Sequence, residues 1–172
     1  MGILLVLGHK QQRTKRQIIL EYKRGVRFKD GAFQEILLPG SYRYDSSKEQ
    51  IAVVDLRPQP LLIERLEYAD SAGQGAWISI SASISVCDPR IVTLQTRDHV
   101  SEGAVAIRET AKRVVAAMPA LSARMDRQNL ARQLSEQCSA ELQKIGLSLS
   151  SFDLTEVSAP AVEPKPSTLE VQ

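Results

Sequence analysis

The chain is poor in the residues from which catalytic and metal-binding sites are usually built. Its 172 residues include two histidines, His9 and His99, and two cysteines, Cys87 and Cys138. Two cysteines give no disulfide framework, which favours a reducing, cytoplasm-like compartment, and the Cys and His spacing fits no zinc site. Aromatic residues make up only 5% and the net charge is only +2, so nucleic-acid binding has little support. We therefore expect no cofactor, no metal and no nucleic-acid partner.

The sequence also lacks a long apolar run. A membrane-spanning helix needs about 20 apolar residues, and no segment approaches that length. Met1–Leu7 is apolar but ends at Gly8, lacks a basic flank before it and is short for a signal-peptide core. Val6 stands where the myristoylation pattern needs Ser or Thr. We expect a chain that does not span a bilayer.

The first third of the chain predicts short strands separated by turns. Strands are predicted at Gln17–Tyr22, Val26–Phe28, Phe33–Leu38 and Ile51–Leu56. Arg24 and Gly25 are predicted to interrupt the chain between the first two of these strands. Asp30 and Gly31 form the dipeptide most suited to a two-residue hairpin, because both can take positive φ. Pro39 and Gly40 predict another turn, and Pro58 and Pro60 predict an extended crossing outside a strand ladder.

The clearest strand signal is a strict alternation of aliphatic residues and serines. The aliphatic positions are Ile78, Ile80, Ala82, Ile84 and Val86, and the alternating positions are Ser79, Ser81, Ser83 and Ser85. A period of two places the aliphatics on one face, which we expect to be buried, and the serines on a more exposed face. A serine row could serve as a binding surface or supply a nucleophile, but a solvated strand face is the favoured interpretation.

Helical periodicity follows this strand. Asp88 and Pro89 predict a short capped helix through Leu94. A long helix ending at Pro119 is predicted from an apolar stripe at Val100, Ala104, Ile107, Ala111, Val114 and Met118. A second, capped by Asp126 and closed by Gly146, is predicted from Leu130, Leu134, Cys138, Leu142 and Ile145, with Cys138 as a packed small residue. A strand at Leu147–Leu154 precedes a tail, predicted to be disordered, with Pro160, Pro164 and Pro166.

For each local group of reactive side chains, a structural role is favoured over a catalytic one. His99 stands at the start of the first long helix, and Gly73–Gly75 is a turn without the pattern of a phosphate loop. Four acids could supply paired carboxylates but are by default surface charges: Asp55, Glu64, Glu67 and Asp70. A hydrolase that uses a serine with His99 is the least favoured hypothesis.

The order and spacing of several motifs resemble the stomatin/prohibitin/flotillin (band 7, SPFH) family. The segments that carry the resemblance are Arg24–Val26, Leu37–Gly40, Val54–Arg57, Gln59, Val86–Pro89, Leu142–Leu147 and the terminal Pro160. Together they cover Ile18 to Pro160. The resemblance implies an α+β fold: a twisted, mostly antiparallel sheet packed by two longer helices and one short helix. It implies no catalytic residues.

The same resemblance implies oligomerisation on membranes, organisation of lipid patches, and modulation of partner channels, transporters or proteases. We expect an apolar tip and basic segment at 1–16, the band 7-like domain at 17–157 and a flexible tail at 158–172. No heptad seam like the family's coiled coil is present, and Tyr68–Gly75 replaces its Thr-x-Asp. We therefore expect a monomer or small oligomer in dilute solution, with larger arrays only on a surface.

The leading hypothesis is a non-enzymatic scaffold at the inner, cytoplasmic face of a membrane, whose partners are other copies of itself, an anionic lipid surface, and a membrane protein or protease. The predicted membrane-contact residues are Ile3, Leu4, Leu5, Leu7, Lys10, Arg13, Lys15 and Arg16. Apolar insertion and attraction of the basic residues to anionic lipid would act together. A strand at the sheet edge is an equally favoured interpretation of Ile3–Leu7. The alternative function is a soluble cytoplasmic adaptor with no lipid role.

Overall fold

The computed structural model describes residues 14–69, 75–117 and 127–158. These residues form eight strands and three helices, and the strands build a mostly antiparallel sheet structure, so the predicted α+β fold is confirmed. The chain divides into two compact units. Unit 1 contains the described residues up to Arg57 together with Val86–Arg97, and unit 2 contains Pro58–Ser85 and the described residues from Asp98 onward.

Unit 1 consists of a two-stranded ribbon, a three-stranded sheet and a short helix. Its elements are β1 (Thr14–Ile19), β2 (Lys23–Lys29), β3 (Ala32–Leu37), β4 (Gly40–Asp45), β5 (Glu49–Asp55) and α1 (Pro89–Gln95). β1 pairs with β4, and the sheet has the order β3-β2-β5, all antiparallel. The apolar side chains of Ile19, Val26, Leu37, Val54 and Val92 are buried.

The predicted turn at Asp30 and Gly31 is confirmed. Their φ angles are 48° and 82°, and the flanking residues Lys29 and Ala32 are paired across the hairpin. Two consecutive positive φ angles match the twist of the adjoining strands, which is why this dipeptide connects β2 and β3 without splaying them. The short helix is also confirmed: the Asp88 carboxylate accepts hydrogen bonds from the first-turn N–H groups of Arg90 and Ile91.

One sequence prediction for unit 1 is corrected, and one strand lies where none was predicted. Arg24 and Gly25 do not interrupt a strand; both lie within β2, where Gly25 leaves room for the side chain of Ile19. The segment after Pro39 is a strand, β4, for which no prediction was made. Its sequence Gly-Ser-Tyr-Arg-Tyr-Asp offers no aliphatic alternation, and its pairing with β1 creates the strand.

Unit 2 packs two long helices against a three-stranded sheet. Its elements are β6 (Gln59–Ala69), β7 (Gly75–Val86), α2 (His99–Ala116), α3 (Arg127–Lys144) and β8 (Leu147–Ser158), with the sheet order β6-β7-β8. α2 contacts β6 and α3, and α3 contacts β8. Pro60 was expected in a crossing outside a ladder, but it is the second residue of β6. An edge strand tolerates proline because its outward N–H has no partner to lose.

The alternation of β7 is confirmed on its aliphatic face and corrected at one serine. All five aliphatic residues from Ile78 to Val86 are buried, and Ile78 and Ile80 are completely inaccessible. Ser81 is exposed, and Ser83 and Ser85 are half-buried. Ser79, expected to be more exposed, is buried because Arg65 of β6 and Glu156 of β8 cover it.

The helix stripes agree with prediction in α3 and are rotated in α2. Leu130, Leu134, Cys138 and Leu142 are buried along α3, as expected. In α2 the buried residues are Gly103, Ile107, Thr110, Ala111 and Val115, whereas Val100, Ala104 and Val114 are only half-buried. The predictions for Met118, Pro119, Asp126 and the proline tail lie outside the described residues.

Candidate functional site

Two of the eight predicted membrane-contact residues lie in the described part of unit 1. Lys15 and Arg16 are both exposed on β1, opposite Tyr44 and Arg43 of β4. The Arg16 Nε donates a hydrogen bond to Ser41 Oγ at 2.6 Å. Consecutive strand residues point to opposite faces, so the two cations are not brought together. The other six predicted contact residues lie outside the described residues: Ile3, Leu4, Leu5, Leu7, Lys10 and Arg13.

An exposed apolar surface lies at the end of the β1–β4 ribbon where β1 ends. Ile19 and Gly40 form the last pair of the ribbon, Leu20 directly follows β1, and Leu38 lies two residues before β4. Their side chains are 45% and 62% exposed. The pairing brings two exposed leucines to the same end of the ribbon, which distinguishes them from isolated surface leucines.

Hydrogen bonds fix both turns of this end. Lys23 N–H donates to the Leu20 carbonyl at 2.9 Å, and Tyr42 Oη donates to the Leu38 carbonyl at 2.9 Å. Tyr22, in the turn between β1 and β2, is also exposed, at 38%. We call Leu20, Tyr22 and Leu38 the turn end. Ile18, which is exposed on the same strand, extends its apolar surface towards Arg16.

Cationic side chains lie against Tyr22 and its turn. The Arg57 guanidinium lies 4.3 Å from the centre of the Tyr22 ring, and the Lys23 ammonium lies 5.4 Å from it. The Arg24 Nη1 donates to the carbonyls of Lys23 at 2.8 Å and Glu21 at 3.2 Å, which holds this guanidinium against the turn. The arrangement places three cationic side chains beside the Tyr22 part of the turn end.

Asp55 fixes the position of Arg57. Its carboxylate accepts two hydrogen bonds from Arg57 Nε and one from Nη2, the shortest at 2.7 Å. These bonds, together with one from the Arg57 N–H, lower the pKa of Asp55 to about 2 from an ordinary value of 3.8. Arg57 therefore keeps its place over Tyr22 across the neutral pH range.

The other candidate residues do not assemble into a reactive site. Burial raises the pKa of the Cys138 thiol to about 11, which makes it a packed residue, and Cys87 is exposed. Glu64 and Glu67 are exposed on β6, and Asp70 lies outside the described residues. Within residues 14–69, 75–117 and 127–158, no three His, Cys, Asp or Glu side chains converge as metal ligands would. The helices of these same ranges lack the length and apolar character needed to cross a membrane.

The sequence analysis missed the turn end. Leu38 stands next to Pro39, where a turn is predicted, whereas Leu20 lies inside the predicted strand Gln17–Tyr22, and the two leucines are far apart in the sequence. Only the pairing of β1 with β4 makes them neighbours. Aliphatic residues next to predicted turns were the available signal, because turns lie at the surface.

Comparison with known proteins identifies the family. No curated protein matches the chain. The family model described as "SPFH domain / Band 7 family" matches residues 17–164, which is most of the chain and agrees with the range of the sequence resemblance. The fold is also consistent with that family. This chain belongs to the SPFH domain/band 7 family.

Proposed function

We propose that this protein is a non-enzymatic scaffold that associates with a membrane surface through the turn end of unit 1. The observation that carries the proposal is the exposure of Leu20, Tyr22 and Leu38 at one end of the ribbon, with the cations of Lys23 and Arg57 against the Tyr22 ring. Band 7 proteins are generally non-catalytic and typically membrane-associated, which supports both parts.

The chemistry of the turn end suits the boundary between lipid headgroups and acyl chains. Leucine side chains gain roughly 1.5–3 kcal/mol each on full burial, and each basic residue near an anionic surface adds on the order of 1 kcal/mol. Tyrosine is favoured at such boundaries because its ring is apolar and its hydroxyl is polar. Lys23 and Arg24 reach headgroups while their methylene groups stay with the apolar tip.

These contributions predict weak binding by a single copy. A single myristoyl chain gives only marginal, reversible attachment, and two leucines bury less apolar surface. Several copies on one surface would bind far more tightly, because each further contact becomes intramolecular. The proposal therefore includes small oligomers in solution and arrays on the lipid, with a membrane protein or protease as the regulated partner at the inner face.

The segment before β1 remains a second proposed contact. Thr14 begins β1 and Leu20 follows its end, and a strand of six residues is about 17 Å long. Ile3, Leu4, Leu5 and Leu7 precede Thr14 in the sequence, whereas Leu20 comes after β1. The contributions of the two regions can be tested separately.

Liposome flotation of the full chain tests the proposal. Leu20→Asp combined with Leu38→Asp should weaken binding at least about tenfold at low and high salt, because a charged residue resists leaving water. Leu94→Asp is the matched control, since Leu94 is a 55% exposed leucine on α1. Exchanging Lys23 and Arg24 for Gln should weaken binding mainly at low salt and on anionic lipid, because salt screens charge. Equal flotation of all variants would exclude the turn end.

A separate set of variants tests the N-terminal segment in the same flotation assay. Leu4→Asp should weaken flotation at every salt concentration if this segment inserts, and exchanging Lys10, Arg13, Lys15 and Arg16 for Gln should act mainly at low salt. A loss of thermal stability in Leu4→Asp without any effect on flotation would assign Ile3–Leu7 to a strand. A parent chain that does not float on anionic or neutral vesicles would leave the soluble adaptor as the function.

A further inference from the structure

The outer face of the unit 2 sheet carries a cleft that the proposed lipid contact does not use. Inward-facing residues of β6, β7 and β8 pack against the helices, whereas Leu62, Glu64, Ser79 and Glu156 belong to the opposite face. The cleft has a volume of about 470 Å³ and is lined by Leu62, Glu64, Arg65, Ser79, Thr155 and Glu156. This size is within the range of sites that accept a ligand or a side chain.

A β-bulge forms the cleft. Ile63 pairs with Ile80, but the next pair is Leu66 with Ile78, so Glu64 and Arg65 together oppose Ser79. Arg65 adopts a φ of 45°, and its N–H donates to Ser79 Oγ at 3.2 Å. Such bulges re-aim side chains and are frequent beside functional sites.

Ser79 links the bulge to β8. Its hydroxyl accepts from Arg65 and donates to Glu156 Oε2 at 3.3 Å. Ser79 is only 4% exposed, so both hydrogen bonds are partly buried although Arg65 and Glu156 are exposed residues. The Glu156 carboxylate is thereby held at the cleft rather than free to move into solvent.

The cleft combines negative charge with an apolar edge. Within the described residues, neither Glu64 nor Glu156 forms an ion pair. The Arg65 guanidinium lies over the Trp77 ring, 5.4 Å from its centre. Leu62, beside the cleft, is 62% exposed, and the paired residue Ser81 is small and exposed. A side chain entering here would meet two carboxylates, the Arg65 side chain and an aliphatic surface.

We propose that this face docks a segment of a partner protein that presents an aliphatic side chain next to a lysine or arginine. The aliphatic group would cover Leu62, and the cation would lie between Glu64 and Glu156. Charge complementarity identifies the occupant, because these carboxylates attract a basic segment and repel the anionic headgroups proposed to meet the turn end. The small side chains of Ser81 and Ser83 leave room for the backbone of that segment.

Titration of the full ¹⁵N-labelled chain with a defined probe tests this docking site. The probe is the peptide acetyl-Gly-Leu-Arg-Leu-Gly-amide, and its control replaces arginine with the uncharged isostere citrulline. We expect amide shifts at residues 62–65, 79 and 155–156, and roughly tenfold weaker binding of the citrulline peptide, since charged pairs carry the recognition. Equal binding of both peptides, or shifts confined to other surfaces, would overturn the proposal.

Two conservative variants extend the test. Glu64→Gln and Glu156→Gln should each weaken the arginine peptide several-fold, and Glu136→Gln, an exposed position on α3, should not. Glutamine at position 156 can still accept the Ser79 hydrogen bond, so folding is preserved. A response to Ca²⁺ alone, with none to the peptide, would make this a simple cation site and contradict the docking role. The lipid proposal is unaffected by either result because flotation depends on unit 1.

Discussion

The side chain of Ile19 occupies the space in which a β-carbon on Gly25 would have to lie. The same position would place that carbon 3.1 Å from Leu37 Cβ and 3.3 Å from Ile51 Cγ2. Glycine is therefore required here by close packing between the β1–β4 ribbon and the β3-β2-β5 sheet, since the φ of Gly25 is not in the left-handed region.

Gly25→Ala should destabilise the protein by about 1–3 kcal/mol, because a packed interior must shift to admit the methyl group. Gly75→Ala is the control, because nothing lies within 4 Å of its added carbon. It should change the free energy of unfolding by less than about 0.5 kcal/mol. Urea unfolding measures both values, and equal effects would show that Ile19 does not pack over Gly25.

The two faces of β7 should differ sharply in their sensitivity to truncation. Ile80→Ala should cost roughly 2–5 kcal/mol because it leaves a cavity in the core, whereas Ser81→Ala should cost little. Ser79→Ala should fall between them, at about 1–3 kcal/mol, because the Arg65 N–H loses its acceptor. A small cost at Ile80 would mean that the strand faces the other way.

The ion pair between Asp55 and Arg57 predicts a stability difference confined to acid pH. The folded-state pKa of Asp55 lies below its ordinary value, so its stabilising contribution is complete above about pH 4. That contribution should be lost as the pH falls from about 4 to about 2. The difference in thermal midpoint between the parent and Asp55→Asn should shrink across this window. A difference that stays constant to pH 2 would contradict the depressed pKa.

The two thiols should differ in reactivity. Cys87 is exposed, whereas Cys138 is buried in α3 with its Sγ 4.0 Å from the Ile107 carbonyl and its pKa raised to about 11. At pH 8, a thiol reagent should label Cys87 within minutes and Cys138 only on unfolding, because the thiolate is the reactive species. Cys87→Ser should abolish the fast phase. Rapid labelling that survives in this variant would show that α3 opens readily.

Local sequence patterns were sufficient for the elements whose partners are near in the chain. The Asp30–Gly31 hairpin and the alternation of Ile78–Val86 depend on residue type and spacing alone, and both predictions are confirmed. β4 escaped prediction because its polar sequence becomes a strand only by pairing with β1, 26 residues earlier at their starts. Ser79 was assigned to the wet face because its cover, Glu156, comes 77 residues later.

The candidate sites also differ in whether they depend on residues that are near or distant in the sequence. The membrane-contact segment was predicted from apolar and basic residues that are close in the sequence, and it stays a prediction. The turn end requires Leu20 and Leu38 to meet, and the cleft requires β6 and β8 to lie on either side of β7. The periodicity of a single segment does not reveal which residues meet at these two sites, because the pairing of strands that are distant in the sequence brings them together.

The β-bulge at Glu64 and Arg65 affects how the sheet of unit 2 can change during evolution. If Arg65 were absent, Glu64 alone would oppose Ser79, and both Ile63 and Leu66 would still face the core. The interior therefore has no need of the insertion, and the left-handed backbone at Arg65 serves only the opposite surface. A single deletion would flatten that surface while sparing the hydrophobic packing, so unit 2 could gain or lose the proposed docking cleft without refolding its core.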